Sequence, residues 1–208
     1  MVKAKIAIVN YQAGNIRSVA KAIEKAGETP IITDDPDVVK RADGLVFPGQ
    51  GAIDPAMRIL KEKKLSGPIT DFIESGKPFL GVCLGLQLLL NLSEEGVEPG
   101  LGLIKGSVRK FPLGIKVPHI GWNNVKFVRQ VPLFHNIPED ARFYFVHSYY
   151  ADPIDSSFVS GLTNYGVEFC SVVSFGNVVA TQFHPEKSGV IGLKIYQNFV
   201  NCVLSGGY

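Results

Sequence analysis

Apolar residues follow two rhythms along this chain, and the rhythm changes near the middle. In the first half, short unbroken apolar runs alternate with longer stretches of helical period. Lys5 to Val9 reads as a buried strand. Asn15 to Ala26 follows, with Ile16, Val19, Ala20 and Ile23 on one helical stripe that Gly27 ends. Pro30 to Thr33 and Gly44 to Phe47 read as strands, the second running into Pro48-Gly49-Gln50-Gly51. Ala52 to Lys63 and Pro68 to Glu74 have helical spacing. Phe79 to Val82 is a strand pattern, and the leucine-rich chain from Leu84 onward suits a helix. Strands alternating with helices predict a parallel, doubly wound sheet covered on both faces, a three-layer α/β fold.

After Ser93 the pattern shortens. Glu94 to Gly102 is rich in glycine and charge and reads as a loop. Beyond it come brief β runs with turn residues between them: Ser107 to Phe111, Asn124 to Val128, Arg142 to Tyr150, Val159 to Thr163, Glu168 to Ser174 and Val178 to Phe183. Gly176-Asn177 suits a two-residue hairpin turn. Gly189 to Leu204 carries Ile191, Ile195, Phe199 and Val203 on one face, a packing helix. No repeat or low-complexity linker divides the chain. The expectation is one domain over residues 1–208, its parallel core extended by antiparallel strands.

Composition narrows the function classes. The 208 residues are 46% hydrophobic, enough for a full core, and the net charge of +2 comes without a basic run, so nothing points to nucleic acid. Cys83, Cys170 and Cys202 are odd in number and widely spaced, neither a disulfide framework nor a zinc pattern. The opening residues are too short and wrongly flanked for a signal peptide, and the Phe79 to Leu92 run is too short and too broken to span a membrane. The expectation is a soluble, cytoplasmic protein.

The candidate chemistry centres on Gly81-Val82-Cys83-Leu84-Gly85. This is glycine-x-nucleophile-x-glycine between a strand and a helix, with cysteine as the nucleophile. A sharp strand-to-helix turn crowds the backbone, so glycines flank the strained central residue. It also sets the sulfur at a helix N-terminus, where a thiolate is favoured, and leaves the Leu84 N–H free for an oxyanion. The plain alternative is a buried structural cysteine. A nucleophilic cysteine needs a base. Of the four histidines, His184 stands in Thr181-Gln182-Phe183-His184-Pro185-Glu186-Lys187. Pro185 keeps His184 extended, and residues two apart then project to one side, so Glu186 can orient the imidazole. A surface His-Pro-Glu turn is the plain alternative. The Pro48-to-Gly51 loop, at another strand end, can approach a ligand closely and offer a second oxyanion donor.

With the cysteine elbow, the upstream Pro-Gly-x-Gly loop and the downstream His-Pro-Glu in this order, the sequence resembles the class I, or triad, glutamine amidotransferases over nearly its whole length. Within that family, three stretches make it most similar to the glutaminase subunits of imidazole glycerol phosphate synthases: Gly14-Asn15-Ile16-Arg17-Ser18, Pro118-His119-Ile120-Gly121-Trp122-Asn123 and Phe145-Val146-His147-Ser148-Tyr149.

The resemblance implies a flavodoxin-like mixed sheet and a catalytic triad of Cys83, His184 and Glu186. It implies an oxyanion hole from the backbone of Leu84, Gln50 and Gly51, and a glutamine site at Gly49, Gln87, Glu95, Ser148 and Tyr149. It implies no cofactor and no metal. Ammonia would pass to a (β/α)8-barrel cyclase subunit, with Asn15, His119, Trp122 and Lys187 near the shared interface. The sequence departs from the family at Asn10-Tyr11-Gln12-Ala13, where Asp-Tyr-Gly is usual, and at Gln50, where an apolar residue is commoner. Three other readings share some of these features: a glutaminase of another pathway, a non-catalytic member of the fold, and another cysteine hydrolase.

Overall fold

The computed structural model describes residues 4–12 and 14–207. Ala13, part of the departure just noted, lies outside them, as do Met1 to Lys3 and Tyr208.

Four apolar runs of the first half become the strands β1 (Ile6–Val9), β2 (Ile31–Thr33), β3 (Gly44–Phe47) and β4 (Phe79–Val82). All four residues of β1, β3 and β4 are buried, because helices cover both faces of the sheet. Side chains alternate across the sheet: Ala7 and Val9 join one core, Ile6 and Ile8 the other. Helices α3 (Ile53–Glu62) and α4 (Ser66–Glu74) pack into the first core, and α1 (Ile16–Lys25) into the second. A further helix, α2 (Pro36–Arg41), was not expected from periodicity. Its signal is local: Asp35 caps the Asp37 N–H at 2.8 Å and Pro36 opens the first turn.

The leucine-rich run after Cys83 corrects the expectation of a helix. Only α5 (Leu84–Gln87) is helical, a single turn, and Leu90–Ser93 is the strand β5. Leu86, Leu88, Leu89 and Leu90 are all buried. Each buried leucine contributes roughly 1.5–3 kcal/mol whether it sits on a helix or a strand, so burial does not choose between them. Pairing with β6 (Ile104–Lys110) chooses: Leu90 stands opposite Ile104 and Ser93 opposite Val108.

The second half extends the sheet. Beyond β6 follow β7 (His119–Asn124), β8 (Lys126–Phe127), β9 (Arg142–His147), β10 (Tyr149–Pro153), β11 (Val159–Asn164), β12 (Glu168–Phe175) and β13 (Val178–Thr181). The main order is β2-β1-β3-β4-β13-β12-β10-β6-β5, parallel from β2 through β13 and antiparallel across β12 and β10. Gly176-Asn177 joins β12 to β13, as expected. Two of the expected strands divide. Arg142 to Tyr150 breaks at Ser148 because β9 and β10 serve different sheets, and Asn124 to Val128 becomes the end of β7 and the short β8. β7 and β9 form a separate two-stranded ribbon. The last helix, α6 (Gly189–Ser205), packs its Ile195, Phe199 and Val203 face beside α1. Among the described residues, no helix is long and apolar enough to cross a membrane.

Candidate active site

Because β1, β3, β4 and β13 are parallel, their carboxyl ends open on one edge, where a doubly wound sheet holds its ligands. That edge collects the loop after β1, the Pro48-to-Gly51 loop after β3, the elbow after β4 and the His-Pro-Glu turn after β13. Sequence distance is thereby erased: Thr181 pairs with Val82, so the residues following each strand emerge side by side.

Cys83 has φ 54° and ψ −105°, a conformation that costs a side-chain-bearing residue on the order of 1–3 kcal/mol. The surroundings hold it there. Its N–H donates to Thr181 O at 2.7 Å, and its carbonyl accepts the Leu86 and Gln87 N–H groups at 2.9 and 3.2 Å. The flanking glycines are required by contact: a Cβ on Gly85 would lie 1.9 Å from Phe47 O, and one on Gly81 would lie 2.7 Å from the Ala180 Cβ. The Leu84 N–H opens α5 and has no helical carbonyl to reach. The dipole of a single turn is small, so the expected help from the helix to a thiolate is weak here. The side chains around the sulfur matter more.

His184 and Glu186 converge as the extended geometry required. His184 Nδ1 lies 2.8 Å from Glu186 Oε1, and the two side chains are 2% and 1% exposed. The His184 backbone is pinned as well: its N–H donates to Tyr144 O at 2.9 Å, and its carbonyl accepts the Ser188 hydroxyl at 2.7 Å. His184 Nε2 is buried and makes no hydrogen bond among the described residues. Burial disfavours the imidazolium, but the charge of Cys83 and the bond to Glu186 outweigh it and raise His184 to about 10. Glu186 is also held by Asn15, whose side-chain amide donates to Oε1, and by Tyr196 OH, 3.4 Å from Oε2.

Beneath the Pro48-to-Gly51 loop, Tyr11 OH donates to Pro48 O at 2.6 Å. Burial first, and Cys83 second, push the Tyr11 phenol well above its ordinary range, so it stays a donor. A Cβ on Gly49 would come 2.2 Å from that hydroxyl, so Gly49 supports the loop from within and is not among the groups facing the cavity. Gln50, the family departure, lays its side chain against Gly14, whose added Cβ would meet Gln50 Oε1 at 2.7 Å.

A cavity of about 410 Å³ opens over these groups, lined by Gln50, Gly51, Cys83, Leu84, Gln87, Glu95, Ser148, Tyr149 and Lys187 from the expected set. Glu95 accepts the Ile53 N–H at 2.9 Å, and burial raises its carboxyl despite that bond. Gln87 Nε2 donates to Tyr149 O at 2.9 Å and to Gln182 Oε1 at 3.1 Å, which leaves its carbonyl oxygen to meet a ligand donor.

The expected interface residues fall in three kinds of place. Trp122 is 48% exposed and Ile120 58% exposed on the outer face of β7. Lys187 lines the cavity rim with its ammonium 6.0 Å from the Tyr144 ring. His119 is 3% exposed, stacked between Phe145 and Tyr165 and bonded to His147, so it supports the ribbon from inside.

Sequence reasoning missed Gln182, whose side chain reaches Cys83, and Pro118, Val146 and His147, which line the cavity. Gln182 gives a partial signal in the chain, an amide between the strand end and Phe183, two residues before His184.

The family model for glutamine amidotransferase class-I matches residues 7–202. The chain is similar to the imidazole glycerol phosphate synthase subunit HisH of Methanosarcina barkeri, 50% identical over 201 residues and covering 95% of this chain and 98% of the relative. It is likewise similar to the protein of the same name from Gloeothece citriformis, 47% identical over 202 residues and covering 95% and 96%. Among solved structures, PurLQS from Thermotoga maritima shares the fold at a TM-score of 0.75 and 22% identity, over 96% of this chain and 99% of that one. A glutamine amidotransferase from the same organism gives 0.67 and 19% identity, over 89% of this chain and 77% of that one. This chain therefore belongs to the class I glutamine amidotransferases.

Proposed function

We propose that the chain is the glutamine-hydrolysing subunit of an imidazole glycerol phosphate synthase, acting in histidine biosynthesis. The observation that carries the chemistry is the buried His184–Glu186 pair at 2.8 Å, with the free His184 Nε2 on the Cys83 side. The pathway is supported by relatives of that name, about half identical over nearly all of both chains.

Each group has a role in this reading. Glu186 accepts from Nδ1, which leaves Nε2 to take the thiol proton. The Cys83 thiolate attacks the side-chain amide carbon of L-glutamine. Backbone N–H groups of Leu84 and of Gln50–Gly51 stabilise the tetrahedral oxyanion. His184 returns the proton to the departing nitrogen, and ammonia leaves behind a glutamyl thioester. Water, deprotonated by His184, attacks the thioester carbon. The C–S bond breaks, the sulfur leaves as the thiolate, and glutamate is released. Glu95 suits the α-ammonium of glutamine, Gln87 offers its carbonyl oxygen, and Ser148 and Tyr149 lie at the α-carboxylate end. Gly49 serves through the loop it shapes.

Free ammonia in water is mostly protonated and a poor nucleophile, so the product is best handed directly to a second active site. The partner in this reading is a (β/α)8-barrel cyclase, docked where Ile120 and Trp122 are exposed and Lys187 rims the cavity, with both proteins in the cytoplasm. The test is glutamate release from L-glutamine by the purified chain, alone and with the cyclase and its nucleotide ligand. A rate that rises strongly with the liganded cyclase supports both halves. Absence of any stimulation removes the pathway assignment, and absence of glutamate under both conditions removes the glutaminase.

A further inference from the structure

We propose that Gln182 is a further catalytic residue, a buried hydrogen-bond donor that holds the Cys83 sulfur as a placed thiolate. The proposal rests on the reading of Cys83 as the nucleophile. The contact is a side-chain one: Gln182 Nε2 lies 3.5 Å from Cys83 Sγ.

The direction of that bond follows from a chain of groups with fixed roles. Tyr149 O is a carbonyl and can only accept. The Gln87 atom 2.9 Å from it must therefore be the amide nitrogen. The same nitrogen lies 3.1 Å from Gln182, so the Gln182 atom there must be the oxygen. That leaves the Gln182 nitrogen facing the sulfur, where it donates. The other side of Tyr149 O is fixed too. It lies 2.8 Å from His147 Nδ1, which must carry a proton to bond there, and His147 Nε2 then accepts from His119 Nδ1 at 3.0 Å. Gln182 is thus held in one orientation by partners that cannot reverse.

Burial gives the bond its weight. Gln182 is 0% exposed, so water does not compete for its N–H, and the sulfur is the acceptor that N–H has among the described residues. A buried amide donor favours the anion over the neutral thiol. The neighbouring α5 is one turn long and supplies little of this. Gln182 also emerges from β13 beside the end of β4, with its own N–H on Ser171 O at 2.8 Å, so the donor is as rigid as the sheet. His184 handles the proton, and Gln182 fixes where the negative sulfur waits.

The experiment is the pH dependence of Cys83 alkylation by iodoacetamide in the full chain without glutamine, read by mass spectrometry of the Cys83 peptide. Gln182→Met keeps the volume and removes the donor. The expected result is an alkylation midpoint shifted up, with about tenfold slower reaction on the acidic limb than wild type. Gln182→Glu keeps the acceptor for Gln87 and sets a second acid beside the sulfur, so its midpoint shifts further up. If Gln182→Met does not fold, Gln182→Leu, which also lacks the donor and adds no charge, takes its place. A folded variant whose profile overlays the wild type overturns the proposal. Glutamate release by the wild type with the cyclase is measured alongside. Release with an unmoved alkylation profile sinks the donor role and leaves the glutaminase standing. A moved profile without release does the reverse.

Discussion

Asn15 and His184 share one oxygen. The Asn15 side-chain amide donates to Glu186 Oε1, the same atom that lies 2.8 Å from His184 Nδ1. Asn15, expected near a partner interface, is therefore bonded directly to the carboxylate that orients the proposed base.

Asn15→Leu removes that donor without touching the cavity wall. Hydrogen bonds to charged groups contribute about 1.5–3 kcal/mol. The expected result is a fall in kcat of roughly tenfold to a hundredfold with KM nearly unchanged, since Asn15 does not line the cavity. Steady-state kinetics of glutamate release check it. A matched rise in KM with kcat intact would place Asn15 in substrate binding instead.

Cys83→Ala should lower turnover by at least about a thousandfold while the chain stays folded by circular dichroism. It should also move His184. The sulfur's charge is the leading influence raising His184 to about 10, with burial opposing it. Without the thiolate, Glu186 alone opposes burial, so His184 titrates at lower pH than in the wild type. Imidazole NMR titration of both proteins reads the shift, and an unmoved His184 would mean that the two groups do not interact.

The buried histidine pair predicts acid sensitivity. Burial lowers His119 from 6.5 to about 4 and His147 from 6.5 to about 3. Both fall below their unfolded values, so the unfolded chain binds protons first as pH drops. Their contribution to stability is therefore complete above pH 6.5 and declines from there through about pH 4 for His119 and about 3 for His147. Urea unfolding at a series of pH values measures the slope. His119→Phe with His147→Phe should flatten it in that window, at the cost of lower stability at neutral pH.

Glycine substitutions separate contact from conformation. Gly85→Ala drives a Cβ to 1.9 Å from the Phe47 carbonyl, and the backbone has no room to yield, so a loss of more than about 4 kcal/mol is expected. Gly67, in α4, has nothing within 4 Å of an added Cβ. Gly67→Ala should be neutral or stabilise by about 0.4–1 kcal/mol. Thermal unfolding of the two variants checks both.

Trp122→Ala tests the proposed docking face. A half-exposed tryptophan beside exposed Ile120 is the kind of anchor that interfaces concentrate energy in. The dissociation constant for the cyclase should rise roughly tenfold to a hundredfold, read by calorimetry. Unchanged affinity would move the interface elsewhere.

Much of this was legible in the chain. Runs such as Ile6 to Val9 and Phe79 to Val82 are apolar at every position, short, and bounded by turn residues or proline, which suits a strand covered on both faces. The glycines around Cys83 and the proline after His184 wrote their backbone geometry locally. Leu84 to Leu90 misled, because a wholly buried segment carries no period to distinguish a turn of helix from a strand.

By itself, then, the sequence determined the local parts: which segments are strands of a parallel core, where the backbone must bend at Cys83, and that His184 and Glu186 face the same way. Those properties depend on residues a few positions apart. Tertiary structure decided what depends on neighbours across the sheet. Leu90–Ser93 became a strand because β6 pairs with it. His119 went inside because Phe145 and Tyr165 stack on it. Gln182 met the sulfur because β13 lies beside β4, and no spacing along the chain encodes a contact between residues 99 positions apart.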